Sequence, residues 1–195
     1  DSTYFTTHLS APLLDDEIRK ESALRRFIDT ETDLKDYYVS KEIAEDTEKG
    51  WAFHKGPKSR PRIDPDTGHI YQWSEGGMSL TDDLDLPART IITSEGGATP
   101  SRSKHLIKTD DGKYRRLTPI ELERVTMFPD DHTKFGLRND GKYVVPPPAR
   151  AFCIGNALVV GVVEKISIAL DLAIRGGKKF GISTNVEEQH HEMAV

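Results

Sequence analysis

Tyr114-Arg115-Arg116-Leu117-Thr118-Pro119-Ile120-Glu121-Leu122-Glu123-Arg124, closing at Phe128-Pro129-Asp130, decides how this chain is read. The run carries a complete helix start signal. Thr118 stands at the N-cap, Pro119 at the first helical position and Glu121 where it can close a capping box. Leu117 and Leu122 flank the cap with the spacing of a hydrophobic staple. Phe128-Pro129 predicts the stop, because proline disfavours helical geometry in the residue before it. Glu121 and Arg124, three residues apart on the helix, are placed to pair with each other.

This run resembles the ninth conserved motif of the DNA cytosine-5 methyltransferases, in which an arginine, a Leu-Thr-Pro cap, a glutamate and an arginine lead to a Phe-Pro-Asp turn. Further along, Phe152-Cys153-Ile154-Gly155-Asn156-Ala157-Leu158-Val159-Val160 resembles the tenth motif of the same family. Two motifs in the right order weigh more than either alone. The resemblance is strong over residues 113–165, moderate over 86–112 and weak over 1–85.

The 195 residues, 36% apolar and 30% charged, suit one good-sized core or two small ones. No stretch is expected to reach the length and apolarity of a membrane span, and no secretory signal is read at the start. A single cysteine excludes an internal disulfide framework and fits a reducing compartment. The seven histidines show no metal-ligand spacing. The net charge of −5 argues against a generic nucleic-acid coat, yet it hides a split. Residues 1–50 hold seven basic and thirteen acidic side chains, whereas Lys49–Arg62 holds five basic and no acidic ones, with Trp51, Phe53 and His54 between them. Residues 89–116 are also basic in balance. Screening limits charge effects to about 8 Å, so these local windows suit a phosphate-facing surface better than the total suggests.

Along the chain, Asp15–Ile28 reads as an amphipathic helix and Ile43–Lys49 as a second, short one. From Trp51 the texture turns to strands and turns. Pro65-Asp66-Thr67-Gly68 predicts a hairpin between Arg62-Ile63 and His69–Trp73. Leu86–Thr93 reads as a strand, Ser94–Ser103 as a loop, and Thr109–Gly112 as a turn between two short strands. Asn139-Asp140-Gly141 and Pro146–Pro148 punctuate a loop, and Ala151–Ile154 reads as a strand buried on both sides, with Cys153 inert within it. A last helix is expected from Ala157 to Ile174, capped at Gly176-Gly177. Its first turns are apolar on nearly every face, which predicts burial against something.

The expected fold class is α+β: an irregular, strand-rich target-recognition region (1–112), then a ninth- and tenth-motif segment (113–180) belonging to a methyltransferase catalytic domain, and a disordered tail (181–195). The resemblance implies double-stranded DNA and S-adenosylmethionine as partners. In the family a Thr-Leu/Val/Ile pair near the end of the recognition domain meets the DNA backbone, and Thr90-Ile91, with Arg89 beside it, matches that pair. Base reading is expected from the following loop, through Glu95, Gly96, Gly97, Arg102 and Lys104, because glycines allow close approach and arginine or lysine can address guanine. Arg116, Thr118, Glu121 and Arg124 are expected to be architectural, like Arg115. Gly155, Asn156 and Ala157 are implied to line the cofactor pocket, at what reads as a helix N-terminus.

The family's Pro-Cys-Gln loop, Glu-Asn-Val segment, Gly-rich cofactor loop and basic eighth-motif signature are all missing from this sequence. No catalytic residue is therefore assigned. The reading is the recognition part of a bacterial, cytoplasmic, restriction-modification type enzyme. It would be inactive alone and completed by a domain or subunit carrying the missing cysteine. No membrane partner is expected, and an uncovered apolar helix would drive self-association. The alternative is a non-catalytic DNA-binding or regulatory protein derived from the same family.

Overall fold

Short elements joined by long irregular segments make up the computed structural model, which describes residues 20–30 and 32–175. Its strands are β1 (Tyr38–Val39), β2 (Lys58–Ile63), β3 (Ile70–Glu75), β4 (Ile107–Lys108), β5 (Tyr114–Arg115), β6 (Phe135–Arg138) and β7 (Gly141–Val144). Its helices are α1 (Lys41–Glu45), α2 (Trp51–Lys55), α3 (Pro119–Val125), α4 (Pro147–Gly155) and α5 (Val160–Arg175). The fold class is α+β, with β1-β5-β4 as an antiparallel three-stranded sheet and β2–β3 and β6–β7 as separate two-stranded hairpins.

The quoted run builds α3 as its residues dictate. Thr118 accepts from the Glu121 N–H at 3.2 Å, and the Glu121 carboxylate accepts from the Thr118 N–H at 2.8 Å, so the capping box is closed. Leu117 and Leu122 both lie in one core cluster with Leu24, Ile107, Ala151 and Ile154. The stop comes earlier than the proline alone would place it. Met127 adopts a left-handed φ of 64°. Its N–H bonds the Arg124 carbonyl, while the Phe128 N–H bonds the Glu123 carbonyl at 2.8 Å. That is the Schellman ending, usually made by glycine.

A second cluster, Ala44, Trp51, Leu106 and Tyr114, joins α1 and α2 to the three-stranded sheet. The two clusters meet at the start of β4: Leu106, just before the strand, belongs to the second and Ile107, its first residue, to the first. At roughly 25 cal/mol per Å2 of apolar surface, so few buried side chains make for a modest core, and buried ion pairs fill much of the remainder.

Several local expectations are corrected. Within the described part of Asp15–Ile28, Lys20 and Glu21 are helical as expected, but the helix does not run on to Ile28: the chain turns at Ser22 and forms a 3₁₀ turn at Leu24–Phe27. Leu86–Thr93 forms no strand; it bridges from Pro87 to Ala23, with the Leu24 N–H on the Leu86 carbonyl, and enters a turn at Thr93. Trp51–Lys55 is helix, because Gly50 packs against Ile43 and Asp46 and turns the chain there. Asn139-Asp140-Gly141 closes a hairpin, with Gly141 at φ 119°. Ala151–Ile154 belongs to α4, whose Pro147 and Pro148 occupy the helix start, the positions where a missing N–H costs nothing. Cys153 is accordingly exposed on a helix instead of buried in a strand.

The described residues fall into two compact units, one ending at Ala157 and the other beginning at Leu158. β5 and α3 pack into the same cores as the segments that precede residue 112. In the second unit, α5 exposes Val162, Ile166, Ile168, Leu170 and Leu172. An 18-residue window within Pro147–Leu172 reaches a mean hydropathy of 1.8, enough by length and composition alone to cross a membrane. That corrects the expectation that no stretch approaches such a span; the stretch is interrupted between Gly155 and Val160. The expected Gly176-Gly177 cap and the 181–195 tail lie outside the described residues.

Candidate nucleic-acid interface and cofactor-facing turn

Two buried arginine–glutamate pairs hold the ninth-motif helix in place. Arg115 meets Glu121 through both guanidinium arms, at 2.8 and 2.6 Å, with both side chains fully buried. Glu121 also accepts from the Asp29 and Thr118 N–H groups, so its lone pairs are well used. Arg124 does not pair with Glu121; it reaches outward to a bidentate bond with Asp130, at 2.8 and 2.6 Å. Glu123 points to the other side of the helix. It takes Arg150 of α4 at 2.9 and 3.0 Å and the N–H groups of Asp131 and Thr133. One helix thus ties the N-terminal segment to itself through Glu121 and the tenth-motif helix through Glu123. Arg116 spans a further gap, donating to the carbonyls of Gly96 and Asp36.

The segment matching the family's Thr-Ile pair and the Gly-Asn turn, far apart in sequence, meet in space. A Cβ built on Gly155 would overlap the backbone of Ile92 and Thr93, and one on Gly96 would overlap Pro148 and the Ala151 side chain. Glycine at both places is what lets the 92–97 segment lie on α4. Ile91 packs on the first core while Thr90 is exposed beside it.

The charged residues expected to read bases are occupied otherwise. Glu95 is buried and binds His105 twice, at its N–H (3.0 Å) and at ring Nδ1 (2.8 Å). Lys104 is buried and donates to the carbonyls of Gly97 (3.1 Å) and Thr99 (2.8 Å), shaping the loop from within. Arg89 clasps Asp82 and the Ser103 and Lys104 carbonyls. Burial alone would raise the Asp82 carboxyl, but the Arg89 hydrogen bond and the Lys55 and His105 charges hold it below its ordinary value. Burial likewise lowers the Lys55 ammonium, against the pull of Asp82. Arg102 binds Glu75 at 2.9 Å and the Gly76 carbonyl at 2.7 Å, fastening the loop to the foot of the β2–β3 hairpin. Of the expected contacts, Thr90 is exposed, whereas the Gly97 N–H bonds the Ser94 carbonyl and the Gly97 carbonyl accepts from Lys104.

The Gly155-Asn156-Ala157 turn sits at a helix C-terminus and not at an N-terminus. Gly155 is the last residue of α4 and Asn156 its C-cap. The exposed Asn156 amide donates to the Phe152 carbonyl at 3.0 Å. The dipole at such an end favours positive charge. Sequence reading passed over Glu123 and Arg150, which join the two motifs. The signal was available in Glu123 at helical spacing from the cap and in an arginine following three prolines, but a pairing across 27 residues is visible only once the chain is folded.

Residues 7–171 match the family described as C-5 cytosine-specific DNA methylase. The match covers most of the chain, and the chain belongs to that family. Among curated relatives it is 48% identical over 112 residues to the Type II methyltransferase M.Sau3AI of Staphylococcus aureus. That alignment covers 57% of this chain and 24% of the relative, so the chain aligns with about a quarter of that protein. A crystal structure of the S. pombe Dnmt2 methyltransferase superposes on 79% of this chain and 42% of its own, at 15% identity and a TM-score of 0.47, a likeness too low to carry an argument.

Proposed function

We propose that this chain is the DNA-recognition and cofactor-pocket-completing part of a DNA cytosine-5 methyltransferase of the restriction-modification type, inactive by itself. The observation that carries the reading is the seating of the Gly155 turn on the Ile92–Thr93 backbone. It makes the segment that would meet DNA and the turn that would face the cofactor parts of one packed unit. DNA engaged at Thr90 would then be held in register with the cofactor wall.

The turn fits S-adenosylmethionine in kind. The exposed Asn156 amide and the carbonyl-bearing end of α4 suit a ligand that carries a sulfonium and an ammonium group. Gly155, Asn156 and Ala157 would hold one side of it, and the cofactor when bound supplies the methyl group. The cysteine that attacks the flipped base would come from a domain or subunit carrying the Pro-Cys-Gln loop. Cys153 lies exposed on the tenth-motif helix beside Phe152, and no acid or base contact marks it for that role among the described residues. The exposed apolar face of α5 suits docking on the same missing domain, with self-association when it is absent. The cell compartment consistent with this reading is the bacterial cytoplasm.

Methylation of duplex DNA by this chain, a companion carrying the missing motifs, and the mixture is the test. Activity in the mixture alone is the expected result. Activity of the chain alone would refute its dependence on a companion. Salt-sensitive DNA binding without activity in any mixture would favour a regulatory DNA-binding protein of the same ancestry.

A further inference from the structure

Among the described residues the β2–β3 hairpin belongs to neither core and pairs with no other strand. Its six-residue register sets Lys58 opposite Glu75, Arg60 opposite Trp73 and Arg62 opposite Tyr71. Directly paired residues share a face, so Lys58, Arg60 and Arg62 line one side with Tyr71, Trp73 and Glu75. The Arg60 guanidinium lies 5.2 Å and that of Arg62 4.2 Å from the Trp73 ring. Lys58 stands 5.1 Å over Phe53, which extends the strip of alternating cations and rings on to α2.

Charge compensation along this strip is one-sided. Glu75 is engaged by Lys58 and Arg102 at the foot of the hairpin. Asp64 at the far end closes the turn, accepting from the Asp66 and Thr67 N–H groups and the Thr67 hydroxyl. Among the described residues Arg60 and Arg62 have no carboxylate within ion-pair distance, whereas Arg89, Arg102, Arg115, Arg124 and Arg150 all do. Indole stacking pre-orients both guanidinium planes while leaving their outer N–H donors unused. Alternate residues of a strand are about 6.4–6.8 Å apart, so the two arginines form a short, evenly spaced cationic row. Pro61, with no N–H to offer, discourages the open edge of β2 from adding a further strand.

We propose that this face of the β2–β3 hairpin, through Arg60 and Arg62 stacked on Trp73, binds the phosphate backbone of duplex DNA. The assignment rests on the DNA-recognition reading above. It moves the principal cationic contact from the 94–105 loop, whose charges are internally bound, to an element the loop braces through Arg102. A two-stranded ribbon is also of a size that the major groove admits, so the backbone contact would steer its polar Ser59–Gln72 side. The chemistry is sequence-independent: each guanidinium neutralises a phosphate and releases a counterion.

The test uses the 195-residue chain, a fluorescein-labelled duplex of mixed sequence and its single strand, with anisotropy titrations between about 50 and 200 mM salt. The wild-type chain is expected to bind the duplex with a steep salt dependence. Arg60→Gln with Arg62→Gln should weaken binding about 10-fold or more at the low-salt end and flatten the log–log slope by about 1–2, at about 0.9 per phosphate. Arg60→Lys with Arg62→Lys keeps the charge and should retain most of the slope. Arg138→Gln with Lys142→Gln, on the other hairpin, removes the same charge and should change the slope less. Equal slopes for wild type and the glutamine pair, with wild-type circular dichroism for both, overturn the hairpin assignment and leave the recognition reading standing. Equal losses from both hairpins also overturn it. Preference for the single strand overturns the duplex assignment. No binding by the wild-type chain defeats the recognition reading and the hairpin with it.

Discussion

Arg115 and Arg150 sit in the interior against Glu121 and Glu123, while Arg60 and Arg62 lie on the β2–β3 hairpin against an indole ring, with no carboxylate partner among the described residues. The side chain is the same and the surroundings are opposite. In the interior a guanidinium costs several kcal/mol to desolvate, and the structure meets that cost with bidentate carboxylates whose remaining lone pairs are also bonded. On the hairpin the charge stays wet, needs no partner and is left free for one. The difference teaches that the arginines recognisable by motif are the ones that build, and that those available to a ligand lie where no motif drew attention.

The comparison can be broken hardest at the buried pairs. Glu121→Ala strands Arg115 and leaves the Asp29 and Thr118 N–H groups without their acceptor; Glu123→Ala leaves Arg150 with Asp131 as its remaining carboxylate and takes the acceptor from the Asp131 and Thr133 N–H groups. A loss of about 3–5 kcal/mol in urea unfolding is expected for either. A loss under about 1 kcal/mol would mean the interior arginines are solvated after all. Gly155→Ala forces a methyl group into the Ile92–Thr93 backbone and should cost about 1–3 kcal/mol. On the proposed function it should also lower activity of a reconstituted enzyme beyond what the stability loss explains, because it would separate the segment proposed to meet DNA from the turn proposed to hold the cofactor.

Acid sharpens the contrast. Asp82, Asp130 and Asp131 have carboxyls held below the ordinary 3.8: Asp82 by the Arg89 bond against its own burial, Asp130 by Arg124 and Asp131 by Lys134. A depressed folded-state value means the stabilisation is complete above about pH 4 and is lost as pH falls through the folded value. Unfolding free energy should therefore decline below about pH 4, and Asp82→Asn should flatten that decline. Met127→Gly relieves a left-handed residue at the end of α3 and should raise stability by about 0.5–1 kcal/mol, read as a higher urea midpoint. Smallest of all, Arg60→Gln with Arg62→Gln should leave unfolding unchanged within about 0.5 kcal/mol while altering DNA binding, since neither arginine has a buried partner.

How much of this was legible in the sequence differs by element. α3 was legible to the residue at its start, because Thr118, Pro119 and Glu121 act on one another within a single turn and carry their partners with them. The β2–β3 hairpin was legible for the same reason, its turn residues lying between the strands they join. α4 was misread as a strand from Ala151-Phe152-Cys153-Ile154, a short apolar run that periodicity alone cannot assign. The candidate site suffered more. Glu95, Lys104, Arg89 and Arg102 have the composition of a base-reading loop, and only their burial and their distant partners show them bracing it.

The sequence by itself determined the family, the capped helix, the hairpin turn and the local basic windows, because each depends on residues a few positions apart. Tertiary structure alone decided that Glu123 grips Arg150, that Gly155 rests on Ile92–Thr93 and that Arg60 and Arg62 meet no carboxylate among the described residues. Which charges are neutralised depends on which distant segments the fold brings within about 4 Å, and at that range a carboxylate or its absence sets what an arginine can do.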